Sequence, residues 1–197
     1  NYISQPEKAL QMKFKFGDAM HSSNILGGLH EVTIVYPLDG SSPFAIDWQE
    51  LSPYDKYIAD VNANPLKYII GTIDEYKDGL LLDKKTCNFE VKSLSKYYHH
   101  YITQLEYYKV LLELVSYHVD RVALWFWDKT NEKDYLFSTD EDTLTLRKSD
   151  VVKEEMLARA GLVVEALTSK VLPPRSVGEE CNFCPHFGKC FTGEGVW

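Results

Sequence analysis

Asp74, Asp83 and Lys85 lie around an Asp78-Gly79 pair whose two flanks, LKYIIGTIDEYK and LLLDKKTC, are apolar enough to be strands. An Asp-Gly pair between two such runs is the strongest short-range hairpin signal, because both residues tolerate the positive φ of a type I′ turn. With Asp78 and Gly79 as the loop, Lys77 faces Leu80, and counting outward sets Asp74 directly opposite Asp83. Side chains so opposed share a face, with Cβ atoms roughly 4.5–5.5 Å apart. Lys85 joins Asp83 there, since strand side chains repeat every second residue. Two carboxylates held that close repel each other unless a cation lies between them. Oxygen ligands suit Mg²⁺ or Mn²⁺, and a lysine beside the ion can orient a water for attack on phosphorus. An Asp-x-Lys on a free strand surface would be decoration, but the preceding Leu80-Leu81-Leu82 run puts Asp83 near a core.

A second cluster of chemistry-bearing residues lies near the C-terminus, as Cys181-x-x-Cys184-Pro185-His186-x-x-x-Cys190. Three thiolates this close in sequence can fold around one metal centre at little cost in loop entropy. The chain has four cysteines in 197 residues, and the fourth, Cys87, stands far from the others, which is a poor pattern for a disulfide framework. A metal or cluster site is the better reading. Three cysteines with His186 suit Zn²⁺, and free structural thiols are a further alternative. Cys87 shares strand parity with Asp83 and Lys85 and so points away from any role in the tail.

Four short motifs follow one another along the chain: Gly17-Asp18-Ala19-Met20-His21, Gly71-Thr72-Ile73-Asp74, Asp83-Lys84-Lys85-Thr86 and Gln104-Leu105-Glu106-Tyr107-Tyr108. In this order they resemble the RecB-like branch of the PD-(D/E)XK nuclease superfamily, over residues 17 to 190. The resemblance implies that His21, Asp74 and Asp83 ligate a Mg²⁺ or Mn²⁺ ion together with the backbone carbonyl of Lys84. It implies that Lys85 positions the nucleophilic water, and that Gln104 and Tyr108, one helical turn apart, contact DNA or support the lysine. The C-terminal triplet is similar to that of the iron–sulfur members, the helicase–nuclease subunits and CRISPR adaptation nucleases. There such a triplet joins a distant N-terminal cysteine to hold a [4Fe–4S] cluster. Cys181, Cys184 and Cys190 would be the cluster ligands here, with Zn²⁺ as the alternative. No cysteine precedes Cys87 in this sequence, so the fourth ligand departs from that pattern.

The elements that must position these residues can be read from periodicity. Residues 6 to 26 carry Leu10, Phe14, Gly17 and His21 at helical steps, and Gly27-Gly28 ends the run. HEVTIVYPL reads as a strand, with Val32, Ile34 and Tyr36 on one side and Glu31 as a charge near its start that could add a further acid to the site. A helix is expected around residues 53 to 61, and a long tyrosine-rich one over 95 to 118, with Ile102, Leu105, Tyr108, Leu112 and Val115 on its apolar stripe. RVALWFWDKT reads as a buried strand, and weaker strands are expected near 135–137 and 143–146. Ser149 caps a last helix that reaches Ser169, with Pro173-Pro174 beyond it. The fold expected is α/β: a central mixed β-sheet flanked by helices, like a restriction-endonuclease core. A nuclease domain would occupy residues 1–175, and a cysteine-rich tail over 176–197 would pack on the same domain.

Hydrophobic residues make up 45%, charged residues 25% and aromatic residues 13% of the chain, which excludes collagen-like, coiled-coil and disordered classes. No apolar run approaches the roughly 18–20 residues needed to cross a bilayer, and the first residues are not of signal-peptide type, so no membrane and a cytoplasmic location are expected. A net charge of -8 argues against coating nucleic acid through bulk electrostatics. It leaves room for a nuclease, whose metal supplies the positive charge at an acidic site. The expectation is a metal-dependent deoxyribonuclease, an exonuclease acting on single strands or duplex ends in recombination, repair or CRISPR adaptation, alone or with protein partners. The competing reading is a non-catalytic nucleic-acid- or partner-binding module with a zinc knuckle.

Overall fold

The structure, a computed structural model, describes residues 23–46, 60–87, 90–91 and 99–171. The chain divides into two compact units, Asn1–Ser149 and Asp150–Trp197. His21 and Cys181, Cys184 and Cys190 lie outside the described residues, as do the expected N-terminal helix, most of the helix expected around 53–61, and the tail over 176–197.

Six strands form one mixed sheet. They are β1 (Leu29–Pro37), β2 (Phe44–Ile46), β3 (Tyr68–Lys77), β4 (Leu80–Cys87), β5 (Arg121–Asp128) and β6 (Lys133–Ser138), in the spatial order β2-β1-β3-β4-β5-β6. All neighbours are antiparallel except β4 and β5. A parallel pair needs a crossover, and here it contains helix α1 (His99–Leu114), which packs on β3 and β1. The expected α/β class therefore holds, as a six-stranded mixed sheet with helices.

Local chemistry explains each boundary that matters for the site. Asp78 (φ 47) and Gly79 (φ 82) both take the left-handed conformation of a type I′ turn. The turn fixes the register Lys77↔Leu80, Tyr76↔Leu81 and Glu75↔Leu82. β1 is buried on both sides from Val32 to Val35, so its one-sided alternation does not hold. Glu31 bends away at φ 52 and is exposed, as suits a charge near a strand start. Central β5 buries Val122, Ala123, Leu124 and Phe126, and α1 contributes Leu105, Leu111 and Leu112 to the core. The expected strand at 143–146 is absent. Thr143 instead folds back on the end of β6, its N–H and that of Leu144 donating to the Ser138 carbonyl at 3.2 and 3.1 Å. Helix α2 spans Ser149–Ser169, with Ser149 as its first residue and Asp150 in its first turn, where an acid suits the helix dipole.

Asp128 ends β5 and ties the following turn, accepting the Thr130 N–H at 2.9 Å and the Asn131 side-chain amide at 2.6 Å. Burial pushes its carboxyl up, but the Asn131 side chain and the Thr130 and Asn131 N–H groups outweigh it and hold the pKa below the ordinary carboxylate range. A carboxylate depressed on folding stabilises the protein above its unfolded pKa, near 4, and that contribution is lost as pH falls through the folded value. Asp128→Asn should therefore lower Tm at pH 7, and the gap from wild type should close as melts are repeated below about pH 4. A gap that persists unchanged in acid would show that the carboxylate's charge contributes nothing.

Candidate active site

The hairpin of β3 and β4 carries Asp74, Asp83 and Lys85 at the end away from its turn. The predicted register is found from Lys77↔Leu80 to Glu75↔Leu82, and regular pairing stops one step short of Asp74 and Asp83. There the Asp74 side chain takes over from the backbone, its Oδ2 accepting the Lys84 N–H at 2.7 Å. Asp83 is 1% exposed, within the strand that the leucine run buries. A buried carboxylate needs a partner. Lys85 supplies one, with Nζ 2.8 Å from Oδ1 and 2.7 Å from Oδ2 of Asp83. The ammonium of Lys85 sits 5.5 Å from the centre of the ring of Tyr101, a residue of α1. That ring packs edge-on against Phe126 of β5.

Gln104 and Tyr108 meet on α1, where Gln104 Nε2 donates to the Tyr108 hydroxyl at 2.6 Å. Burial raises the Tyr108 pKa, the Gln104 hydrogen bond opposes it, and the charges of Asp83 and Asp74 raise it further. The phenol thus keeps its proton at neutral pH, facing the negative potential of both aspartates. Gly71 lets α1 come this close, since a Cβ there would stand 2.6 Å from Leu111 Cδ1 and 3.1 Å from Tyr108 Cε1. Gly71→Ala should push Tyr108 and Leu111 off the strand and cost about 1–3 kcal/mol, measured as a lowered urea midpoint. An unchanged midpoint would mean that both side chains can swing clear.

On β4 the residue between Asp83 and Lys85 points to the other face and meets an unforeseen partner. Lys84 Nζ lies 2.8 Å from Glu75 Oε1, with both side chains 0% exposed. The same ammonium donates to the Ser23 carbonyl at 2.5 Å, and the Glu75 carboxylate accepts the N–H groups of Ile25 and Leu26 at 2.9 and 2.6 Å. Burial pushes the Glu75 pKa up, but the Ile25 N–H, the Lys84 ammonium and the Leu26 N–H together bring it below its ordinary value. The sequence held a signal for this pair: in the predicted register Glu75 faces Leu82, and Lys84 is two residues further on the same face.

Three further side chains that could do chemistry, those of Cys87, Lys109 and His118, have structural partners. Cys87 is buried, and its Sγ lies 3.7 Å from the Trp127 carbonyl. Lys109 bonds Glu113 and donates to Ser149 Oγ at 3.2 Å. Exposed His118 pairs with Asp120 at 2.5 Å.

Among the described residues no group of three or more His, Cys, Asp or Glu side chains is placed to hold a metal ion. Asp74 and Asp83 are two oxygen donors. Mg²⁺ commonly takes only one or two protein carboxylates and fills its remaining positions with water and substrate phosphate. The donor chemistry therefore fits a hard divalent cation. Among the described residues no helix is long and apolar enough to cross a membrane. No protein-family model, no curated protein and no solved structure matches this chain, so its function has to be read from these residues themselves.

Proposed function

We propose that this chain is a Mg²⁺- or Mn²⁺-dependent deoxyribonuclease that hydrolyses phosphodiester bonds. The carrying observation is the conjunction of Asp74 and Asp83 where the pairing of β3 and β4 stops, with Lys85 Nζ against both oxygens of Asp83. Asp74 and Asp83 would supply oxygen donors to the ion, with the Lys84 carbonyl and His21 completing the set that the RecB-like resemblance implies. When bound, such an ion lowers the pKa of water and offsets charge building on phosphoryl oxygens. Lys85 contributes a fixed ammonium that can hydrogen-bond a water or a phosphoryl oxygen. The Gln104–Tyr108 pair presents a protonated phenol to the same region. The substrate is DNA, as single strands or duplex ends, and the mode exonucleolytic, in recombination, repair or CRISPR adaptation in the cytoplasm. Cys181, Cys184 and Cys190 would hold a [4Fe–4S] cluster, or Zn²⁺ in its place. Iron, sulfide and zinc analysis of anaerobically purified protein separates the two.

Cleavage of end-labelled single- and double-stranded DNA with Mn²⁺, Mg²⁺ or EDTA tests the reading. The wild type should cut only with metal, and Lys85→Ala should lose about 100-fold or more in rate. If DNA is bound but never cut, or if the variant cuts as fast as wild type, the catalytic reading fails and a binding module replaces it.

A further inference from the structure

Lys84 touches the candidate site twice, through atoms that leave the backbone in different directions. Its N–H donates to Asp74 Oδ2 at 2.7 Å, and its ammonium bonds Glu75, the next residue along β3, at 2.8 Å. Both contacts fall where regular β3–β4 pairing ends, so this one residue bridges the strands where their backbone ladder no longer does. The ion pair also fastens a third piece of chain. Ser23 gives its carbonyl to Lys84, and Ile25 and Leu26 give their N–H groups to the two oxygens of Glu75. Two further contacts secure the same segment. Lys77 Nζ donates to the Leu26 carbonyl at 2.9 Å, and Gly28 passes so near β3 that a Cβ there would stand 2.4 Å from the Tyr76 carbonyl oxygen.

An ion pair with both side chains 0% exposed is a poor device for stability alone. Its desolvation cost offsets most of the attraction, and apolar replacements of similar volume are often as stable. What apolar side chains cannot reproduce is direction: a carboxylate that accepts two specific N–H groups, and an ammonium aimed at one carbonyl. We infer that Glu75 and Lys84 are a positioning pair for the carboxylate site, setting the separation of β3 and β4 at Asp74 and Asp83 and pinning residues 23–26 to these strands. This inference rests on the proposed metal-dependent nuclease and adds two side chains, those of Glu75 and Lys84, that act through other groups, with no contact to substrate required of them.

The test compares wild type, Glu75→Leu/Lys84→Met and Glu75→Gln. Readouts are thermal stability in EDTA, Mn²⁺ affinity by electron paramagnetic resonance, and kcat and KM on end-labelled DNA. The double variant should fold with a Tm near that of wild type. It should nevertheless bind Mn²⁺ about 10-fold or more weakly and lose kcat by a similar factor, the range seen when groups that orient metal ligands are removed. KM for DNA should change little. A folded double variant with wild-type kcat and Mn²⁺ affinity would reduce the pair to packing and overturn the inference while leaving the nuclease intact. If the double variant does not fold, Glu75→Gln decides by the same criterion, since it keeps the shape and one oxygen acceptor but removes the charge. A wild type that neither binds Mn²⁺ nor cuts DNA overturns the nuclease reading itself, and this inference with it.

Discussion

Asp83→Asn should abolish metal-dependent cleavage, lowering the rate by about 1,000-fold or more while the protein remains folded. The size follows from what the carboxylate does. It is buried, the Lys85 ammonium lies within 2.8 Å of both its oxygens, and under the proposed function it is one of two described carboxylates that would ligate the ion. Losing a ligand that contributes several kcal/mol of charge stabilisation costs a decade in rate for each ~1.4 kcal/mol. Folding should suffer less, because Lys85 is 15% exposed and its ammonium can turn to solvent when its partner becomes an amide. The amide also removes one of two neighbouring negative charges, which offsets part of the lost ion pair. A thermal melt separates the two effects. A ligand that binds only the folded state raises Tm in proportion to its occupancy, so wild type should melt higher with Mn²⁺ than with EDTA, and Asp83→Asn should melt alike in both. Retention of a Mn²⁺ shift by the variant would move the metal away from Asp83.

The route from sequence to this site was shortest where local chemistry acts alone. Asp78-Gly79 dictates the turn, the turn dictates the register, and the register is found as far as Glu75↔Leu82. Asp150 in the first turn marks the start of α2 in the same direct way. Legibility fails where long-range packing decides. β2 has only Phe44–Ile46, too few residues for a period to show, and exists because β1 offers it an edge. Thr143–Leu146 has strand-like composition, yet Ser138 captures it in a turn. Parity arithmetic also assumed that β3 and β4 stay paired past the acids. Instead the Asp74 carboxylate takes the Lys84 N–H, an exchange of side chain for backbone that no propensity signals. Lys84 read as one of two adjacent lysines of which the second was the reactive one; that it is buried opposite Glu75 depends on residues 23–26, far away in sequence, folding over it. Gly71 shows the reverse case. A motif glycine acquires its physical reason only when α1 is seen against it.

The largest stability effect should come from Glu75→Leu, at about 3–5 kcal/mol. That change leaves the Lys84 ammonium buried without its carboxylate and takes the acceptor from the Ile25 and Leu26 N–H groups. Lys84→Met should cost less, about 1–3 kcal/mol, because the Glu75 carboxylate left behind still has those two N–H donors, whereas the converse change takes from the buried ammonium the carboxylate it faces. The asymmetry is itself a check, since a pair acting by Coulomb attraction alone would lose equally from either side. Combining the two should recover most of the loss, because no uncompensated charge remains inside, so the cycle should return a coupling of about 3 kcal/mol or more, nearly the sum of the two single losses. Against a total stability of about 5–15 kcal/mol for an ordinary domain, Glu75→Leu alone removes a large share of what keeps the chain folded. Urea denaturation at pH 7 in EDTA measures all four proteins. If Glu75→Leu loses under about 1 kcal/mol, residues 23–26 and the hairpin are held together by something other than this ion pair.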